Sequence, residues 1–190
     1  MHAEEIILLS PEEKTFLCRL ARKTLERQFN DKTVSKEILA SRNLKMKKSV
    51  FVTLWKHGEL RGCIGSLSKD KNLIEAVQDL TVKSAFSDSR FTDLKEEELN
   101  DIEIEISILS DLTEIKKIEE IEIGKHGLLV QKDSFSGLLL PQVADEEQWD
   151  RETFLRNTCM KAGLDSDAWK KGARVFKFSA LKFSEGGTAD

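Results

Sequence analysis

The sequence predicts an α+β fold, a mainly antiparallel sheet flanked by helices, and three observations carry that prediction. A capped amphipathic helix opens the chain after Ser10. A period-two run of isoleucines occupies residues 101–110. Strands and helices elsewhere follow no regular βαβ rhythm, which disfavours a parallel sheet. At 190 residues the chain can bury one sizeable core with room for a smaller subdomain.

The elements follow in chain order. Ser10 suits an N-cap, Pro11 the first helical position, and Glu13 completes a capping box. Phe16, Leu17, Leu20, Ala21, Thr24 and Phe29 then line one face. After a polar connection, Ser49 to Lys56 is rich in β-branched and aromatic residues, and His57-Gly58-Glu59 reads as a turn into a returning strand over 60–64. Asn72 and Glu75 form a second capping signal, followed by a face of Leu73, Ala76, Val77, Leu80, Thr81, Ser84 and Ala85.

In the clearest strand, Ile102, Ile104, Ile106 and Ile108 alternate with Glu103, Glu105 and Ser107, the pattern of a sheet with one wet face. Residues 113–122 fit helix and strand equally. A hairpin is expected around residues 133–136, and Leu140 to Glu147 reads as a polar loop. Asp150 caps a helix that Gly163 ends, and residues 174–183 form one closing strand.

Charge and composition limit the function classes. The formal net charge is −4 and the pI about 5.6, which oppose a nucleic-acid role; only basic stretches at Lys45, Lys47, Lys48 and between Lys170 and Lys182 favour one. Three cysteines without a C-x-x-C pair argue against a disulfide framework or a zinc knuckle, and three histidines without acidic companions at ligand spacing against a dedicated metal site. No apolar run approaches the ~20 residues that span a bilayer, so a cytoplasmic location without membrane attachment is expected.

Candidate chemistry concentrates in four segments. In Leu60-Arg61-Gly62-Cys63-Ile64-Gly65, Gly62 and Gly65 permit unusual backbone conformations whose N–H groups can converge on an anion. Arg61 suits a carboxylate or phosphate, and Cys63 is a nucleophile if a neighbour stabilises its thiolate. The plain alternative is a small residue at the end of a strand, framed by bulge glycines. In Gly124-Lys125-His126-Gly127, His126 is either a surface-turn histidine or an acid–base group. Asp88 and Arg90 either close the second helix by an ion pair or face a ligand. Gln142, which donates and accepts, suits recognition.

These segments together resemble the AMMECR-type domain family. Its hallmark Leu-Arg-Gly-Cys-Ile-Gly stands unchanged at 60–65. Ala85-Phe86, Asp88 to Phe91, Glu105 to Ser110, Gly124 to Gly127, Gly137 to Ala144 and Trp149 to Leu164 follow in the family's order. Ser89 stands where the family often carries proline. The resemblance implies a single domain over 10–186, divisible into two subdomains, with flexible ends at 1–9 and 187–190. It also implies that the hexapeptide and the His126 loop help line a cleft. Through it, association with a Memo-type protein and a radical S-adenosylmethionine enzyme is expected, although the family has no established activity and names no cofactor.

Two function classes therefore stand side by side. In one, the chain is a binding module for such a partner or for a small anionic ligand, held by Arg61, Gly62, Gly65, Asp88, Arg90 and Gln142. In the other it is an enzyme, with Cys63 as nucleophile or redox group and His126 as its proton-transfer partner.

Overall fold

A computed structural model describes residues 8–30 and 39–187. Its elements are α1 (Pro11–Glu26), β1 (Ser49–Lys56), β2 (Glu59–Ser66), α2 (Leu73–Phe86), β3 (Ile102–Leu109), β4 (Thr113–Glu114), β5 (Gly127–Lys132), β6 (Phe135–Leu139), α3 (Pro141–Glu146), α4 (Arg151–Lys161), β7 (Arg174–Phe178) and β8 (Ala180–Ser184). The strands form two four-stranded sheets, ordered β2-β1-β3-β8 and β4-β7-β5-β6, and every pairing with a recorded register is antiparallel. The fold is α+β. The chain divides into two compact units, one running to Leu109 and resuming at Leu181, the other comprising Ser110–Ala180.

The first unit owes its start to the predicted box. The Ser10 hydroxyl accepts the Glu13 N–H, and the Glu13 carboxylate accepts the Ser10 N–H at 2.8 Å. Glu13 is itself buried and also accepts from Ser41 and Asn43, so the cap is tied to the segment entering β1. The second box works likewise at Asn72 and Glu75. Helices α1 and α2 bury Phe16, Leu17, Ala21, Leu25, Val77 and Leu80 against Val50, Val52, Leu54 and the β3 isoleucines. Leu9, within the end expected to be flexible, belongs to this core; residues 1–7 and 188–190 lie outside the described residues.

In the second unit the 135–139 strand pairs with β5 across a two-residue turn at Asp133-Ser134, with Asp133 at φ 52°. Its core gathers Ile121, Leu128, Val130, Phe154, Leu155 and Cys159. Asp150 caps α4 by accepting the Thr153 N–H at 2.8 Å, and Gly163 beyond the helix adopts φ 76°.

Three expectations need correction. The single strand over 174–183 is two, β7 and β8, in different sheets: the Ser179 N–H donates to Ser110 Oγ, and the Ser110 N–H to the Ser179 carbonyl, so the ladder breaks there. The polar loop after Leu140 holds α3, begun by Pro141 at its first turn. The wet face of β3 is only partly wet: Glu103 is exposed, whereas Ser107 is 3% exposed.

Candidate functional site

The hexapeptide forms the body of β2, an edge strand, and neither Gly62 nor Gly65 takes a positive φ. The turn that would converge N–H groups on an anion is therefore absent at this position. Both glycines answer to packing. A Cβ on Gly62 would lie 2.2 Å from the Ser84 carbonyl oxygen of α2, and one on Gly65 would lie 2.0 Å from the Phe51 ring. Helix α2 comes so close that the Ser84 hydroxyl enters the ladder, accepting the Ile64 N–H at 2.9 Å and donating to the Val52 carbonyl at 2.8 Å.

Cys63 is held by its backbone from the open edge. Its N–H donates to Asp88 Oδ2 at 2.8 Å, and its carbonyl accepts from Arg90 Nη2 at 3.3 Å. Arg90 also grips Asp88 with Nε at 2.9 Å and Nη2 at 2.7 Å, so the two side chains form one plate against the strand. The guanidinium holds the Asp88 carboxyl far below the usual carboxylate range, despite burial that opposes ionisation. Asp88 is buried, whereas the Arg90 side chain is 51% exposed.

The Cys63 side chain lies opposite Thr53 on β1, which in turn lies opposite Glu105 on β3. Val52 and Leu54 point to the helices, so the period of two turns Thr53 to the other face. The Thr53 hydroxyl donates to Cys63 Sγ at 3.2 Å, and Glu105 meets Lys182 of β8 at 3.4 Å. Cys63, Thr53, Glu105 and Lys182 thus make a polar row across all four strands. Burial pushes the Cys63 thiol up from its ordinary value, outweighing the Thr53 hydrogen bond and the charge of Arg90. The resting group is a thiol.

Arg61 is not available as a free anion clamp. Its Nε and Nη2 hold Glu98 at 3.0 and 2.9 Å, and Lys56 joins the same carboxylate at 2.9 Å. Glu98 is pulled down to about 2, first by Arg61 and then by Lys56, against the opposing effect of burial.

Of the predicted residues, Arg61, Gly62, Cys63, Gly65, Asp88 and Arg90 lie in the first unit, whereas His126 and Gln142 belong to the second. His126 is not a surface-turn residue: it is 1% exposed, and its Nδ1 accepts the Glu122 N–H at 2.9 Å. Gln142 is half-buried in the first turn of α3. In the basic run, Lys48 is 8% exposed rather than solvated. Among the described residues no cluster of three or more His, Cys, Asp or Glu is placed to hold a metal ion, and no helix is long and apolar enough to cross a membrane.

Thr53, Glu98, Glu105 and Lys182 are not among the site residues expected from the sequence. For Glu105 a signal existed, since the isoleucine alternation puts it on the face away from the helices. Glu98, in the 3-10 segment Glu96–Asp101, reads as one of three consecutive glutamates and shows no such signal.

The comparisons with known proteins agree with one another. The AMMECR1 family model matches residues 18–183. Protein Mbar_A1807 of Methanosarcina barkeri is 41% identical, covering 94% of this chain and 93% of its own. Protein MJ0810 of Methanocaldococcus jannaschii is 37% identical, covering 94% and 92%. The crystal structure of the uncharacterized protein PH0010 from Pyrococcus horikoshii superposes with a TM-score of 0.86 at 37% identity, covering 95% of each chain.

Proposed function

This chain belongs to the AMMECR1 family, and from that premise we propose that it is a ligand- or partner-binding domain whose recognition surface is the Cys63 edge of the first sheet. One observation carries the reading. The Cys63 backbone is clamped by Asp88 and Arg90, while its thiol is kept protonated by burial. A residue so fixed is suited to being recognised or to shaping a surface, and poorly suited to attacking a substrate. Arg90 supplies the outward charge: its Nε and Nη2 serve Asp88 and the Cys63 carbonyl, and half of its side chain stands in solvent, where a carboxylate or phosphate can approach the guanidinium.

The partner expected from the resemblance, a Memo-type protein acting with a radical S-adenosylmethionine enzyme, belongs to this same reading. Co-purification of the tagged chain with the Memo-type protein of its own genome tests it. Arg90→Gln should abolish capture and Cys63→Ser should leave it intact, with melting temperatures confirming that both variants fold. The reverse pattern would argue for thiol chemistry. The enzyme reading also makes a kinetic demand: Cys63 must react faster than a free model thiol at pH 7. We expect slower reaction.

A further inference from the structure

Away from that edge, the second unit presents another whose backbone is open. β6 is the outer strand of the sheet β4-β7-β5-β6, and its residues Phe135-Ser136-Gly137-Leu138-Leu139 carry no charge. The two-residue turn pairs Lys132 with Phe135, so Phe135, Gly137 and Leu139 direct their N–H and carbonyl groups to β5. The N–H and carbonyl groups of Ser136 and Leu138 point the other way, and none of them meets a hydrogen-bond partner among the described residues. Edge strands are normally closed by charge, shortness or a covering group. The other three conform: β2 is covered at Cys63 by Asp88 and Arg90, β4 has two residues, and β8 carries Lys182. β6 does not.

The surroundings of β6 define what fits there. Phe135, Gly137 and Leu139 share the face on which α4 packs, and a Cβ on Gly137 would lie 2.3 Å from the Ala162 nitrogen, so the end of α4 rests directly on the strand. Beside it stand two exposed apolar side chains, Phe135 at 51% and Met160 at 53%. They form one patch around Gly163, whose N–H donates to the Met160 carbonyl at 2.9 Å and whose Cβ, if present, would lie 3.6 Å from the Phe135 ring. A second copy of the chain, pairing β6 with β6 about Gly137, would bring two α4 ends to about 5 Å, the spacing of strands, whereas packed helices need about 8–10 Å. A bare strand meets no such conflict.

We infer that β6 is a docking edge for an extended segment of a partner protein, apolar at alternate positions, which adds antiparallel to the sheet as a fifth strand. Its backbone pairs with Ser136 and Leu138, and its apolar side chains cover Phe135 and Met160. Main-chain hydrogen bonds hold the segment and the alternate side chains select it. The edge is separate from Cys63 and does not depend on the function proposed there.

Titration of the 15N-labelled full chain with acetyl-Val-Ser-Val-Ser-Val-amide, and with versions carrying Ile, Leu or Phe in place of Val, tests the assignment. At least one peptide should move the Ser136 and Leu138 amide signals saturably and slow their hydrogen exchange. In the antiparallel arrangement the peptide's serine N–H groups face β6 and its apolar side chains face Met160. N-methylation of the serine nitrogens should therefore weaken binding at least about tenfold, and N-methylation of the central apolar residue should not. Leu138→Pro removes one outward donor without touching the ladder to β5, so it should abolish binding at an unchanged melting temperature. Met160→Asp should weaken binding and leave the edge backbone intact. Stationary signals with all four peptides, or equal binding of the serine-methylated peptide, would overturn the assignment. So would dimerisation of the free chain that Leu138→Pro removes, since the occupant would then be a second copy.

Discussion

Gly62 and Ser84 decide how near helix α2 lies to its sheet. A methyl group on Gly62 meets a backbone oxygen, which cannot swing away as a side chain can. Gly62→Ala should therefore destabilise the protein by about 1–3 kcal/mol through overpacking, measured by urea unfolding. A change below ~0.5 kcal/mol would show that the helix yields freely. Ser84 is 1% exposed, and Ser84→Ala leaves the Ile64 N–H and the Val52 carbonyl without their bridge. The expected cost is about 1–3 kcal/mol. Gly65→Ala differs in kind, because it meets the Phe51 ring. In a Phe51→Leu background its cost should shrink, and an additive double-mutant cycle would refute that coupling.

Among the elements, the 3-10 segment Glu96–Asp101 is bound to the first hairpin chiefly through the Glu98 carboxylate. Glu98 joins Lys56 at the end of β1 and Arg61 within β2. Its folded value of about 2 lies below the ordinary 4.5. A depressed carboxyl contributes stability that is fully present above its ordinary value and lost as pH falls through its folded value. Unfolding free energy should thus fall between about pH 4.5 and 2, and Glu98→Gln should flatten that slope; an unchanged slope would remove Glu98 as the tether. Asp88 is depressed for the same kind of reason and adds loss at the acidic end. The edge strand β2 shows the same economy in its backbone, since Asp88 and Arg90 take the Cys63 N–H and carbonyl that an edge leaves open.

Among the described residues the apolar core falls into two clusters, and a cysteine reports on each. Cys18 lies in the first, 4% exposed, and Cys159 in the second, fully buried. Burial raises the thiol of Cys18 to about 12 and that of Cys159 above its ordinary value. In native buffer, mass spectrometry after alkylation should find Cys63 modified first, because it alone is only half-buried. Cys18 and Cys159 should label on the timescale of opening of their own unit. Labelling of either at the rate of Cys63 would contradict the burial described.

The amino-acid sequence by itself determined the parts whose causes are local. The capping boxes at Ser10 and Asn72, the hairpin turn at His57 and the isoleucine alternation of β3 each act over a few residues, and each is found where the pattern puts it; the second hairpin turns more tightly than residues 133–136, with Phe135 and Ser136 already in β6. The ordered hallmark segments likewise sufficed for the family. The tertiary structure alone decided what depends on groups far apart in the chain. Ser179 meets Ser110 and splits what reads as one strand. Glu98 captures Arg61 and converts a candidate ligand clamp into a tether. His126 is buried by its own unit's packing, although the flanking glycines suggest a surface turn. The hexapeptide joins both kinds of cause. Its glycines are plain in the sequence, but the carbonyl and the ring that require them lie 22 residues ahead of Gly62, at Ser84, and 14 residues behind Gly65, at Phe51. Close packing rewards such contacts only once the chain has folded back on itself, so no short window of sequence contains them.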